Sequence, residues 1–217
     1  MTGPVYLMKI FKTIVDSILG EPTRNINSTD KTVYLTFDDG PNHYCTPKVL
    51  ALLKKYNAKA TFFVIGKNVE NNIEIFNRIH NEEHSIGNHS HDHDFTIYFK
   101  GITRLKKWIE FGEETIVTKL GKSSVGFRPP IGIRTLELRY VMYKRNERPI
   151  LWQHRFYDTT FKFTDDKWRK KISGIKPGDI ILLHDSHVKP DEFLISLENF
   201  IKELINNGFL LSAMPYK

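Results

Sequence analysis

The chain has 217 residues, 40% of them hydrophobic and 12% aromatic, enough to bury a full core, and no Gly/Ser/Pro-rich or single-sign stretch divides it, so one domain is expected. Its 32 Lys and Arg against 25 Asp and Glu give a formal charge of +7, which favours anionic surroundings such as phosphorylated sugars, anionic lipid or acidic glycans. The densest basic runs, Lys106-Lys107 and Arg169-Lys170-Lys171, read as solvated helix faces and not as a nucleic-acid stripe, and the single Cys45 excludes an intrachain disulfide framework.

Residues 1–20 carry Lys9 and Lys12 before Ile14, Val15, Ile18 and Leu19, with Asp16 interrupting the apolar run. That run is too short to span a bilayer and no small-residue cleavage site follows it. The expectation is an amphipathic helix that packs on the domain, with peripheral membrane contact as the other use of such a helix. The chain is accordingly placed in the cytoplasm or at a membrane periphery, or outside the cell if a leader has been trimmed away.

From Val33 the pattern alternates: Val33, Leu35 and Phe37 against Tyr34 and Thr36, a strand stopped by Gly40-Pro41, so Asp38 and Asp39 fall at its C-terminal lip. On extended backbone these two carboxylates would point to opposite sides, one toward a cation and one toward a substrate. Thr46-Pro47 opens a helix with Val49, Leu50, Leu52 and Leu53. A nearly all-apolar run over 59–65 predicts a strand covered on both faces. Helical spacing of Ile73, Phe76 and Ile79 predicts one helix over 69–80, and 85–87 predicts a strand. Further helices are expected over 103–120, 136–143, 166–172 and 192–206, and further strands over 125–127, 149–152, 179–183 and 209–213. This is βα alternation with seven short strands, which makes either an open doubly wound sheet or a closed barrel. Polar clusters follow five of the strands, and a rim gathering that many strand ends favours barrel closure.

Those clusters carry the chemistry. His89-Ser90-His91-Asp92-His93 places three histidines just after a strand, with His89 and His93 four apart as on one face of a helical turn. Two imidazoles and a carboxylate, for which Asp39 is available, are a common set for a catalytic divalent metal. If the segment were extended, His91 would share that face and the ligand pair would be ambiguous. His184 is delivered to the same rim by an apolar strand, and a carboxylate such as Asp158 would keep it protonated near neutrality. Arg128, held by Pro129-Pro130, would keep Asp38 ionised and oriented. His43, His80, His84, His154 and His187 read as solvated or packing residues.

Taken together, Thr36-Phe37-Asp38-Asp39-Gly40-Pro41, His89-Ser90-His91-Asp92-His93, Arg128-Pro129-Pro130, Trp152 with Asp158, and Leu183-His184 resemble the motifs of the polysaccharide deacetylases, the NodB-homology group that removes N-acetyl groups from chitin, peptidoglycan and related glycans. The resemblance runs over 31–213, leaving 1–30 as a helical extension and 31–217 as the catalytic domain. It implies a distorted α/β barrel of about seven parallel strands and a metal-dependent N-deacetylase acting on an N-acetylated glycan. By position it implies Asp38 as general base, Asp39, His89 and His93 as ligands of one divalent metal, His184 as general acid, Arg128 supporting Asp38 and Asp158 supporting His184. Zinc is the first choice of metal, with Co, Ni, Mn or Fe also suited to the set. The backbone N–H at Ile131 would help hold the oxyanion, Trp152 would line the groove and Leu183 would meet the acetyl methyl. Two departures stand out. Ile131 occupies a position where the family often has Tyr. Arg155 and Thr159 stand in the groove where acidic and aromatic residues are common, which bears on the choice of glycan. A small or lipid-linked aminosugar is the other substrate class, and a silent glycan-binding module the reading from another class.

Overall fold

The alternation around Val33 folds as read. In the computed structural model of the chain, which describes residues 3–28, 30–160, 163–188 and 190–216, strand β1 runs Thr32–Asp38 and is buried throughout. Period-two geometry sends Val33, Leu35 and Phe37 to one side, where they join an apolar cluster, and Tyr34, Thr36 and Asp38 to the other.

The remaining strands are β2 (Thr61–Val64), β3 (Ser85–Asn88), β4 (His154–Arg155), β5 (Ile180–His184) and β6 (Leu210–Leu211). The helices are α1 (Gly3–Leu19), α2 (Thr46–Lys55), α3 (Gly66–Asn71), α4 (Ile73–Asn81), α5 (Ile102–Leu120), α6 (Leu136–Lys144), α7 (Asp165–Ile172) and α8 (Asp191–Asn206). All pairings of named strands are parallel, in the order β3-β2-β1-β5-β4, with β6 joining the start of β1. The order places Asp38 beside His184 in register, so two distant motifs share one strand end.

Two of the seven expected strands are not strands. Residues 125–128 and 149–151 instead make single bridges: Val125 N–H donates to Ile86 O, Arg128 N–H to Asn88 O, and Ile150 N–H to Phe127 O, each at 2.9 Å. Gly126 at φ 141° turns the first segment, and Pro129, Pro130 and Pro149 have no N–H with which to extend a ladder. These irregular segments nonetheless carry the sheet from β3 round toward β4, which gives the distorted barrel. Residues 23–26, for which no strand was expected, form a wedge in it. Thr23 N–H donates to Pro149 O, Leu151 N–H to Thr23 O, and Ile26 N–H to Gly178 O. The helical extension is therefore stitched into the sheet.

The helix expected over 69–80 is two. Asn72, at φ −138° and ψ 47°, breaks the ladder between α3 and α4, and its side-chain amide donates to the carbonyls of Pro41 and Asn68. Helices α2, α4 and α8 cover the outer face of the sheet, where Phe37, Phe62, Ile181, Leu183, Leu197 and Phe200 share one cluster. A second cluster joins α5 to α6 through Leu105, Trp108, Leu138 and Met142. Inside the ring lie Tyr34, Phe63, Ile150 and Ile180, and the buried Arg128, with its guanidinium carbon 3.9 Å from the Phe63 ring centre. Asp16 of α1 pairs with Arg24 and Arg134 at 2.9 and 2.7 Å, fixing the helix end to the domain while Phe11, Ile14 and Ile18 stay exposed. Among the described residues no helix is long and apolar enough to cross a membrane.

Candidate active site

The Asp38-Asp39 pair does not point to opposite sides. Asp38 is the last residue of β1, facing the barrel interior, but Asp39 has φ 76° and leaves strand geometry. Both carboxylates therefore reach one imidazole: His89 Nε2 is 3.7 Å from Asp38 Oδ2 and 3.4 Å from Asp39 Oδ1. The turn is clamped by Asn68 Nδ2 donating to Asp39 O at 2.7 Å, Ile65 N–H to Gly40 O at 2.9 Å, and Asp185 N–H to Asp38 O at 3.2 Å. Any side chain at Gly40 would run into the Asp185 carboxyl, which is why the third residue of the turn is glycine.

His93 Nε2 lies 3.4 Å from the same Asp39 Oδ1, and the candidate ligand atoms of Asp39, His89 and His93 all fall within 4.8 Å of one another. They do not converge through a helical turn, as the four-residue spacing suggested. Residues 89–93 are a loop with Ser90 at φ 73° and His93 at φ 61°, closed by Ser90 N–H on Asn88 Oδ1 and His93 N–H on Ser90 Oγ. His91 turns away: it is buried, its ring tilted against that of Phe111 with centres 4.0 Å apart and packed against Gly66. Replacing His91 with Ala is thus expected to cost packing but leave metal content nearly intact. Elemental analysis of His91→Ala beside His93→Ala checks this, and an empty site in the first with a full one in the second would contradict the ligand assignment.

The donor set suits a cation on its own chemistry. Asp39 Oδ1 is buried without a hydrogen-bond donor. Burial opposes its charge, yet the imidazole of His89 3.4 Å away, with His184 and His93 nearby, holds the carboxyl below the usual range. His89 Nδ1 faces Arg128 O at 2.8 Å, and since a carbonyl only accepts, Nδ1 carries a hydrogen and Nε2 is the atom turned to Asp39, the one whose lone pair a metal would take. Burial and the charge of His89 push His93 down, toward the neutral imidazole a metal requires.

Arg128 is 0% exposed, and each of its three nitrogens donates to a named acceptor. Nη1 donates to Asp38 Oδ1 and Thr36 Oγ1, each at 2.7 Å, while Nε and Nη2 donate to the carbonyls of Ile150 and Leu151. Asp38 is left with Oδ2 free toward the rim. Across the rim, His184 Nδ1 lies 2.9 Å from Asp158 Oδ1, and the backbone N–H of His184 donates to Asp158 Oδ2 at 2.8 Å. Burial would lower the His184 pKa, but the hydrogen bond and charge of Asp158 overcome it and raise the imidazole to about 9. Asp158 is correspondingly held at about 2 against its own burial.

The pattern of residue types did not reveal two of the contributors. His187, read as packing or solvated, places Nε2 3.2 Å from Asp158 Oδ2 and stacks on Phe193. Asp185 is fully buried, bonded by Thr46 Oγ1, and pushed up to about 7 by burial. One placement is corrected. Leu183 is 0% exposed in the outer cluster among α2 and α8 residues, whereas Leu182 shares the face of His184 by strand alternation. Ile131 is 52% exposed on a 3-10 turn at φ 50°, a conformation costly for a β-branched residue, and Trp152 lies against the neighbouring Gly132. Two further histidines have structural partners: His84 accepts from Ala60 N–H and burial lowers it to about 4, and His154 pairs with Asp179 at 2.8 Å. Burial drives the Cys45 thiol up to about 12, so it supplies no thiolate.

Comparison with known proteins agrees with the geometry. Residues 25–147 match the family model described as polysaccharide deacetylase. The chitooligosaccharide deacetylase of Azorhizobium caulinodans is 29% identical over 212 residues, spanning 92% of this chain and 100% of that protein. The peptidoglycan-N-acetylglucosamine deacetylase of Bacillus cereus is 30% identical over 194 residues, spanning 88% of this chain and 89% of that one. Among solved structures, the Bc1960 peptidoglycan N-acetylglucosamine deacetylase superposes with a TM-score of 0.80 at 29% identity, covering 94% of each chain. With the family model matching more than half of its length and these relatives aligned along nearly all of it, the chain belongs to the polysaccharide deacetylase family.

Proposed function

We propose that the chain hydrolyses N-acetyl groups on an aminosugar-containing glycan, releasing acetate and leaving a free amine, with one divalent metal held by Asp39, His89 and His93. The observation that carries the reading is the unpartnered Asp39 Oδ1 between two imidazoles, set between a buried carboxylate base and a protonated imidazole. A metal bound there supplies Lewis acidity, favouring deprotonation of water near neutral pH and withdrawing charge from the acetyl carbonyl; zinc is the first choice, with Co, Ni, Mn or Fe suited to the same set.

The protein's own groups do the rest. Arg128 occupies Asp38 Oδ1, so Oδ2 takes the proton of the attacking water. His184, with Nδ1 committed to Asp158, gives its Nε2 proton to the leaving nitrogen as the carbon–nitrogen bond breaks. The backbone N–H of Ile131 serves the oxyanion, Trp152 lines the groove, and Leu182, in place of Leu183, offers an apolar wall to the methyl. A silent binding module would have no use for the paired Asp38–Arg128 and His184–Asp158 groups. Incubation with N-acetylglucosamine oligomers, scoring acetate and amine alongside binding, tests the reading: release is expected, and binding without release would favour the silent module.

The pH profile carries a sign. The acid must hold its proton, and a folded value of about 9 for His184 keeps it protonated through neutrality, with loss of rate as pH rises through that value. In Asp158→Asn the hydrogen-bonded charge is gone while burial remains, so the upper limb of the rate profile moves to lower pH and the rate falls with metal still bound. An unmoved upper limb on a soluble acetylated substrate would show that Asp158 does not tune His184. The pair's stabilising effect is complete between about 3.8 and 6.5, lost as pH rises through about 9, where His184 gives up its proton, and lost again as pH falls through about 2, where Asp158 takes one up.

A further inference from the structure

Next to the rim lies a cavity of about 490 Å³ whose walls include Lys12, Arg24, Trp152, Arg155, Tyr157 and Lys171, and no carboxylate is among its lining side chains in the described residues. Four cations reach it from separate parts of the chain: α1, the 23–26 wedge, β4 and the last turn of α7. Arg24 is answered by Asp16 at 2.9 Å. Among the described residues no carboxylate pairs with Lys12, Arg155 or Lys171.

Arg155 is built in and not loosely solvated. Its guanidinium carbon lies 4.6 Å from the Tyr157 ring centre and 5.5 Å from that of Trp152, and its Nε is buried without a hydrogen-bond acceptor. Lys171 Nζ donates to the backbone carbonyl of Arg155 at 3.1 Å, which holds a second cation at the same wall. Such a fork, fixed over two rings with a donor unspent, matches a planar or tetrahedral oxyanion. Trp152 joins this cavity to the catalytic rim, because its ring also stands 5.9 Å from the Arg128 guanidinium that orients Asp38. A glycan lying along Trp152 with one acetamido group at the rim would bring its neighbouring sugar over the cations.

We propose that this cavity is the subsite for a negatively charged substituent, a carboxylate or a phosphate, on the sugar adjacent to the one that is deacetylated. The inference rests on the deacetylase reading and narrows it, making the substrate an acidic aminosugar glycan and Arg155 and Lys171 the residues that select it.

The test titrates three ligands against the full chain by calorimetry at low salt: a neutral N-acetylglucosamine oligomer, the same oligomer carrying one uronate carboxylate, and the same oligomer carrying one phosphate monoester. Wild-type protein is expected to bind at least one acidic form about tenfold to a hundredfold more tightly than the neutral one, a preference that shrinks as salt is added. The carboxylate and phosphate arms identify which group is read. Lys171→Glu and Arg155→Gln should bring the ratio near one, and Lys171→Arg should keep it; circular dichroism confirms folding, and Lys171 is exposed on its helix. Equal binding of neutral and acidic ligands by the wild type, or a preference untouched by both substitutions, overturns the proposal. Acetate release from the neutral oligomer is scored in parallel. Preference without release contradicts the deacetylase reading and leaves the anion subsite standing, while release without preference contradicts the subsite alone.

Discussion

Asp38→Asn is expected to lower turnover by about a hundredfold to ten-thousandfold while Asp39, His89 and His93 keep their metal. The size of the effect follows from how the carboxylate is divided. Oδ1 is committed to Arg128 at 2.7 Å and Oδ2 faces His89 and the rim, so only Oδ2 has a lone pair to spend on a proton. An amide keeps the shape and can still accept from Arg128, but it has no basic oxygen. The variant also leaves a buried guanidinium facing a neutral group, so turnover is compared well below the melting transition and metal content is measured on the same preparation. Near-normal acetate release from metal-loaded Asp38→Asn would contradict the base role.

The largest effect on stability is expected at Arg128. Its guanidinium is fully buried, so burial lowers its pKa while the Asp38 charge and hydrogen bond raise it, and its partners are chosen accordingly. Removing one member of a buried ion pair costs about 3–5 kcal/mol, since the other is left charged and dry. Arg128→Ala would strand Asp38, deprive the carbonyls of Ile150 and Leu151 of their donors, and leave a void over the Phe63 ring. A fall in Tm on the order of 10 °C is expected for a chain of this size. Because those two carbonyls belong to an irregular segment of the barrel wall, the loss should reach beyond the site. Calorimetric melting of Arg128→Ala and Arg128→Lys measures it, with Lys recovering only part because it lacks the fork. A Tm within about a degree of wild type would mean that this ion pair does not support the barrel.

What could be read from residues alone follows physical lines. Regular strands with strict alternation, such as Thr32–Asp38 and Ile180–His184, were legible, and with them the rim positions of Asp38 and His184. The same alternation places Leu182, not Leu183, beside His184. Segments whose backbone is held by tertiary bonds were not legible. Residues 125–128 and 149–151 look apolar enough for strands, but glycine and proline reduce them to single bridges. The wedge at 23–26 has no periodicity of its own and is placed by carbonyls at Pro149 and Gly178. At the site, residue types pointed to Asp39 and the histidine cluster, which do come together, while the local geometry differed: Asp39 leaves the strand at positive φ, and the histidine loop closes through Ser90 in place of a helical turn. His187 and Asp185 were missed because only packing brings His187 to Asp158 and Asp185 to Gly40 and Thr46.

The most direct test of the account is a chelation and add-back titration of acetate release from an N-acetylglucosamine oligomer, run on wild-type protein and on Asp39→Asn. Release is expected to vanish from the wild type when the protein is stripped of divalent metal and to return in proportion to metal re-bound, with about one ion per chain at full rate, whereas Asp39→Asn should bind the ion weakly and recover little. Release that persists in stripped protein, or that returns equally in Asp39→Asn, would contradict a metal-dependent deacetylase centred on Asp39, His89 and His93.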